Sequence, residues 1–181
     1  YDEFARKLAI RVDALCVGDG LTEGTEIGPM INKDAVAKIN RHLDDAQSKG
    51  GKVITKGQSV DGPQYVSPVV LRDATREMVL ADEETFGPVA PLFRFENEAE
   101  AVAFANDTPF GLASYFYTRD LSRAFRVSEA LEAGMIGLNT GLISTEVAPF
   151  GGVKQSGLGR EGSQLGIEEY LEVKTMHIGG I

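Results

Sequence analysis

The chain predicts an α/β fold built on a parallel sheet. Helical and strand-like segments alternate along it, which is the sequence sign of that class. The clearest stretch is a β-α-β-α-β rhythm over residues 91–139, because parallel strands need such crossovers. With 43% hydrophobic residues in a chain of 181, one good core can be buried, so the simplest reading is one domain with appendages.

The elements follow in order. Phe4, Leu8, Val12 and Leu15 recur at helical spacing from the very start. Because no initiator Met precedes a helix already under way at Tyr1, we expect a carboxy-terminal piece of a longer polypeptide. "VGDGLTEGTEIGP" then reads as loop. Residues 32–49 place Ala35, Val36, Ile39, Leu43 and Ala46 on one helical face, and Gly50 and Gly51 supply the stop signal. "KVIT" and "YVSPVVL" look like strands, the second carrying Pro68, which predicts an edge or an irregular pairing. "REMVLADEETFGPV" is a short helical turn running into acidic loop, and "APLFRF" is the next strand.

Asn97 with Glu100 resembles a capping box and opens the helix "EAEAVAFAN". "GLASYFYT" is a strand, Asp120 a second N-cap, "LSRAFRVSEALEA" a helix ended by Gly134, and "MIGLN" the following strand. Residues 161–170 look helical, and "YLEVKTMHI" alternates like a strand that either closes its own sheet or pairs with another subunit.

Composition excludes several functions. A net charge of -9 and a pI near 4.8 argue against nucleic acid, because phosphate backbones are bound by surplus Lys and Arg. No apolar run approaches the roughly 20 residues of a membrane span. Cys16 is the single cysteine, which excludes an internal disulfide framework and a cysteine-clustered zinc site. His42 and His177 lie far apart, in no recognisable metal-ligand cluster, so no metal is expected. With no basic leader and apolar core of a signal peptide, the cytosol is the default location.

"SGLGREG" carries Gly157, Gly159 and Gly162 in the spacing GxGxxG. A dinucleotide fingerprint needs a strand leading into these glycines and an acidic residue about 20 positions later; "PFGGVKQS" precedes them and the chain ends first. A Walker loop fails too, because Lys154 precedes the second glycine without a following Ser or Thr. The remaining reading is a loop of positive-φ turns that lines a pocket. Cys16, at a helix end, reads as a small buried residue. Asp82, Glu83 and Glu84 can supply acid and base but are ordinarily solvated surface. Their continuation into "TFGPV" sets an aromatic ring beside a carboxylate, which suits the hydroxyls and planar base of a nucleotide.

"EETFGPV" at 83–89 and "PFGGVKQSGLGRE" at 149–161 resemble the two signature stretches of the carboxy-terminal half of the aldehyde dehydrogenase superfamily, in the same order and separation. The similarity runs over essentially the whole chain, and the paired motifs are highly specific. "GLIS" at 141–144 and "GREGSQLGIEEYLEVK" resemble the succinate-semialdehyde dehydrogenase branch. The resemblance implies a three-layer αβα catalytic domain, with residues 1–168 its carboxy-terminal portion and 169–181 an oligomerisation strand. The amino-terminal NAD(P)-binding domain is expected to be absent from this chain, and the catalytic Cys and Glu are expected upstream of Tyr1. No catalytic residue is therefore expected here.

In that family a thiolate attacks the aldehyde, hydride passes to the nicotinamide, and a glutamate-activated water hydrolyses the thioester. Carried over by the resemblance, Glu84 holds the nicotinamide ribose of NAD or NADP, and Phe86 lies beside the nicotinamide. Phe150 belongs to the aldehyde entry tunnel, and Ser144 helps bind the distal carboxylate of the substrate. Asn139 supports structure, Gly157, Gly159 and Gly162 shape a turn, and Arg160 and Glu161 form a structural pair or helix-start charges. The implied substrate is succinate semialdehyde, with glutarate semialdehyde or another ω-carboxylated aldehyde as alternative. The implied assembly is a homodimer or homotetramer. A chain acting alone as a noncatalytic binding or assembly module is the alternative from another class.

Overall fold

A computed structural model describes residues 1–58 and 60–180; Ile181, the end of the expected terminal strand, lies outside the described residues. The chain divides into two compact units, Tyr1–Arg94 and Phe95–Ile181.

The first unit is organised around a mixed sheet of three strands in the order β1-β2-β3: Lys52–Val53, Val69–Ala74 and Val89–Phe93. β2 pairs parallel with β3 and antiparallel with β1. It is therefore central, and the edge expected from Pro68 is corrected: the proline precedes Val69, where its missing N–H costs no ladder bond. The irregularity lies further on, where the register shifts between Leu71 and Ala74 and Asp73 takes φ 59°. The Asp73 N–H donates to the Tyr1 hydroxyl at 2.7 Å, and Arg72 pairs with Asp2 at 2.6 Å, so the bulge anchors the start of the first helix.

That helix, α1, runs Asp2–Asp13 and packs against β2. Its face departs from the expectation at Phe4, while Leu8, Val12 and Leu15 are half-buried. Ala5 and Ala9 are buried while Phe4 is 61% exposed, because close packing on a strand selects the small side chains. α2, Lys33–Ser48, matches the expected boundaries. Asn32 Oδ1 accepts from Ala35 N at 2.8 Å as N-cap. At the other end Gly50, at φ 96°, donates to Gln47 O, and Gly51 N donates to Ala46 O at 2.8 Å, a Schellman closure. Ala46, Leu71, Ala74, Met78 and Leu80 form the core cluster, the last from the middle of the 3-10 helix Val79–Ala81. Val70 and Leu71 are consecutive and both fully buried, so both faces of β2 are covered.

The second unit contains α3 (Glu98–Asn106), β4 (Phe110–Gly111), β5 (Ala113–Phe116), α4 (Leu121–Ala130), β6 (Met135–Leu138) and β7 (Val153–Lys154). β5, α4 and β6 make the expected parallel crossover, in register from Ala113↔Met135 to Phe116↔Leu138. β3, read as the first strand of that rhythm, instead pairs with β2. Asn97 and Asp120 cap their helices, accepting from Glu100 N and Arg123 N, each at 3.0 Å. β4 and β7 pair antiparallel.

Two expectations are corrected here. α4 stops at Ala130 rather than at Gly134, because the Asn106 amide accepts from Glu132 N and donates to Ala130 O, each at 2.8 Å. Gly134 serves packing: a Cβ there would overlap the carbonyl oxygen of Gly151. Residues 161–170 form turns and the 3-10 helix Glu168–Tyr170, because Gly162, at φ 65°, and Ser163, at φ 51°, break the helical path. Residues 171–180 lie outside the strand ladders of the described residues, with Val173, Met176 and Ile178 exposed.

Candidate functional site

In the first unit, the segment following the 3-10 helix is gripped by one face of α2. Lys38, Arg41 and His42 sit at helical positions i, i+3 and i+4, so their side chains project the same way. Arg41 forks onto Glu83, with Nη2 to Oε1 at 3.0 Å and Nη1 to Oε2 at 3.3 Å. Lys38 Nζ lies 3.4 Å from the same carboxylate and donates to the Glu84 carbonyl at 2.5 Å. The fully buried His42 places Nδ1 3.0 Å from Thr85 Oγ1 and Nε2 3.4 Å from Glu83 Oε2. Beneath the segment, Gly87 passes against Ile39.

Alternate residues therefore divide. Glu83 and Thr85 are tied inward to α2, while Glu84 is exposed and Phe86 is 74% exposed, with φ 49°. The Arg41 guanidinium, with Lys38 and His42, holds the Glu83 carboxyl down at about 2, so it stays ionised and is a poor proton carrier. Of the acidic triplet, Glu83 is structural and Glu84 faces outward. An outward carboxylate can accept two hydrogen bonds from vicinal hydroxyls, and an uncovered ring can lie over a planar base, so the pair fits a nucleotide cofactor.

In the second unit, Ser144 and Phe150 border one cavity of about 230 Å³, with Leu112, Tyr115, Met135 and Ile143. Ser144 is exposed and Phe150 half-buried. Phe150 is held by reciprocal backbone bonds with Glu161, N to O at 2.8 Å and O from N at 2.7 Å. These close the loop between them. Inside it, Arg160 Nη1 donates to the carbonyls of Gly152 at 2.8 Å and Gly159 at 2.6 Å. Arg160 thus braces the loop from within, rather than pairing with Glu161 or starting a helix.

Gly157, Gly159 and Gly162 take φ 111°, 81° and 65°, the positive-φ turns expected of them. They leave the short antiparallel β7 and lead into turns, which is not the strand-to-helix geometry of a pyrophosphate site. Asn139, at φ 56°, accepts from Thr118 N at 2.9 Å and donates to Thr118 O at 2.8 Å, a two-bond clasp between the ends of β6 and β5. Cys16 is exposed, correcting its buried reading: it lies beyond α1 in the loop, where its carbonyl accepts from Glu26 N and Ile27 N. Among the described residues no group of three or more His, Cys, Asp or Glu could hold a metal ion, and no helix is long and apolar enough to cross a membrane.

Sequence reasoning missed Lys38, Arg41 and His42. A signal was present: His42 stands three residues after Ile39 and four before Ala46, in the middle of the buried face of α2.

The aldehyde dehydrogenase family model matches residues 1–176. Glutarate-semialdehyde dehydrogenase of Pseudomonas putida KT2440 is 60% identical over 178 residues, 98% of this chain and 37% of that protein. Succinate-semialdehyde dehydrogenase (NADP+) GabD of Escherichia coli K12 is 57% identical over 180 residues, 99% of this chain and 37% of its own length. The crystal structure of an aldehyde dehydrogenase from Brucella melitensis biovar abortus 2308 superposes with a TM-score of 0.91 at 62% identity, covering 95% of this chain and 35% of that one. The chain thus spans 37% of the length of these curated relatives. With a family match running almost end to end, the chain belongs to the aldehyde dehydrogenase family.

Proposed function

We propose that this chain is the carboxy-terminal part of the catalytic domain of an NAD- or NADP-dependent succinate-semialdehyde dehydrogenase, which oxidises succinate semialdehyde to succinate. The observation that carries the reading is the meeting of Ser144 and Phe150 on one cavity, a hydroxyl beside an apolar wall. In the proposed pose the wall receives the carbon chain and the hydroxyl donates to the distal carboxylate, which favours a carboxylate tail over an alkyl one. Glu84 and Phe86 position the nicotinamide ribose and ring, where orientation supplies much of the rate. The cofactor, when bound, accepts the hydride. The nucleophilic Cys and the general-base Glu lie upstream of Tyr1 in this reading, so the chain alone is inactive.

A second reading is favoured by the 60% identity to a glutarate-semialdehyde dehydrogenase. The two substrates differ by one methylene, worth roughly 10- to 200-fold in discrimination. We also propose a cytosolic homodimer or homotetramer in which residues 169–181 pair across an interface; the exposed, unladdered Val173, Met176 and Ile178 support it.

The test is a panel of succinate semialdehyde, glutarate semialdehyde and butanal with NAD+ and NADP+, using the full-length protein. The proposal expects the highest kcat/KM for succinate semialdehyde. A higher value for glutarate semialdehyde selects the second reading, and equal values for butanal overturn both.

A further inference from the structure

We propose that His42 is a positioning residue for the cofactor: acting through Thr85, it sets the place of the segment that presents Glu84 and Phe86. This inference rests on the reading of that segment as the nicotinamide-ribose contact. Glu84 and Phe86 are exposed and are held in place by the alternate residues, Glu83 and Thr85. Glu83 is held by two surface cations and can lose one of them, being itself 42% exposed. Thr85 has its 3.0 Å contact to a fully buried imidazole.

The geometry makes this contact selective. A buried polar atom without a partner is costly, so the His42 ring favours the arrangement that keeps Thr85 Oγ1 at Nδ1. Its other nitrogen, Nε2, lacks a partner in hydrogen-bond geometry and lies 3.4 Å from Glu83 Oε2. One ring therefore spans both inward residues and leaves the segment little room to slide along α2. Gly87 against Ile39 fixes the next step of the chain, so the hydroxyl, the carboxylate and the glycine register against residues 38–42, little more than one turn of one helix face. A shift of a fraction of an ångström at Thr85 passes directly to its neighbours Glu84 and Phe86, and hydride transfer tolerates little misplacement.

The test uses the full-length protein with Thr85→Val, which keeps shape and removes the hydroxyl; His42→Phe, which keeps a ring and removes both nitrogens; the double variant; and His42→Asn, which restores a polar atom near Nδ1. The dissociation constant of NADPH is read by its fluorescence, beside the KM of dinucleotide and of aldehyde. Thr85→Val and His42→Phe are each expected to weaken NADPH binding by about 3- to 10-fold, the worth of roughly one hydrogen bond, with the aldehyde KM within about twofold. The double variant should be no weaker than the worse single one, and His42→Asn should recover most of the loss.

Unchanged NADPH binding in Thr85→Val overturns the proposal, whether or not His42→Phe folds. Additive losses, or equal rises in both KM values, also overturn it. Glu84→Ala separates the two ideas. If it leaves NADPH binding unchanged, the cofactor reading of the segment falls and this inference with it. If it weakens binding while Thr85→Val does not, only the role of His42 falls.

Discussion

Gly87 runs so close to Ile39 that a Cβ placed on it would lie 2.7 Å from Ile39 Cγ1 and overlap Cδ1. Ile39 is fully buried on α2 and cannot swing aside. Gly87→Ala is therefore expected to cost about 1–3 kcal/mol in denaturant unfolding. Adding Ile39→Ala removes both offending atoms, so the double variant should lose less than the sum of the two singles.

Gly134 presents a harder case. A Cβ there would overlap the Gly151 carbonyl oxygen and lie 2.9 Å from its carbonyl carbon, and backbone cannot change rotamer. Gly134→Ala is expected to cost about 3 kcal/mol or more in urea unfolding, or else to displace the loop next to Phe150 and raise the aldehyde KM. A variant with wild-type stability and kinetics contradicts this packing.

Ser144→Ala should lower kcat/KM for ω-carboxylated aldehydes by roughly 10- to 100-fold, the worth of a hydrogen bond to a charged group. A neutral aldehyde of equal length should stay within about twofold. Equal losses on both remove the carboxylate-binding role.

Glu98 receives Arg126 Nε at 2.7 Å and Arg123 Nε at 2.8 Å, and these guanidinium groups lower its carboxyl from the ordinary 4.5 to about 2. Glu83 is lowered to the same level by Arg41 and Lys38. Because both folded-state values are depressed, the stabilisation is complete above about pH 4.5 and is lost as pH falls toward about 2. Thermal unfolding midpoints should hold steady from neutrality to pH 5 and then drop. The drop should be shallower in Glu98→Gln, and smaller in high salt because these groups are partly exposed.

Local chemistry carried much of the fold in readable form. Asn97 and Asp120 mark helix starts because a side-chain oxygen satisfies amides within three residues of itself, and Gly50 and Gly51 mark the end of α2 for a similarly short-range reason. The β5-α4-β6 crossover follows from alternation, and the turns at Gly157, Gly159 and Gly162 from conformational freedom. The motifs at 83–89 and 149–161 named the family.

The misreadings share a cause. Phe4 has the periodicity of a core residue, yet β2 takes Ala5 and Ala9 instead; α4 ends where Asn106 intercepts it; and Pro68 precedes a central strand because β1 and β3 arrive on both sides. Each outcome depends on a partner tens of residues away. The same holds at the candidate site, where sequence placed Glu84 and Phe86 in one motif but left their inward neighbours unread.

What the order of residues settled was therefore the class of fold, the helix boundaries that lie within reach of one side chain, and the family. Which helix face is buried, and that His42 reaches Thr85 across 43 residues of chain, was decided only by tertiary packing. Propensity and capping act over one turn of backbone, whereas burial is set by the shape of whatever surface the folded chain brings against it.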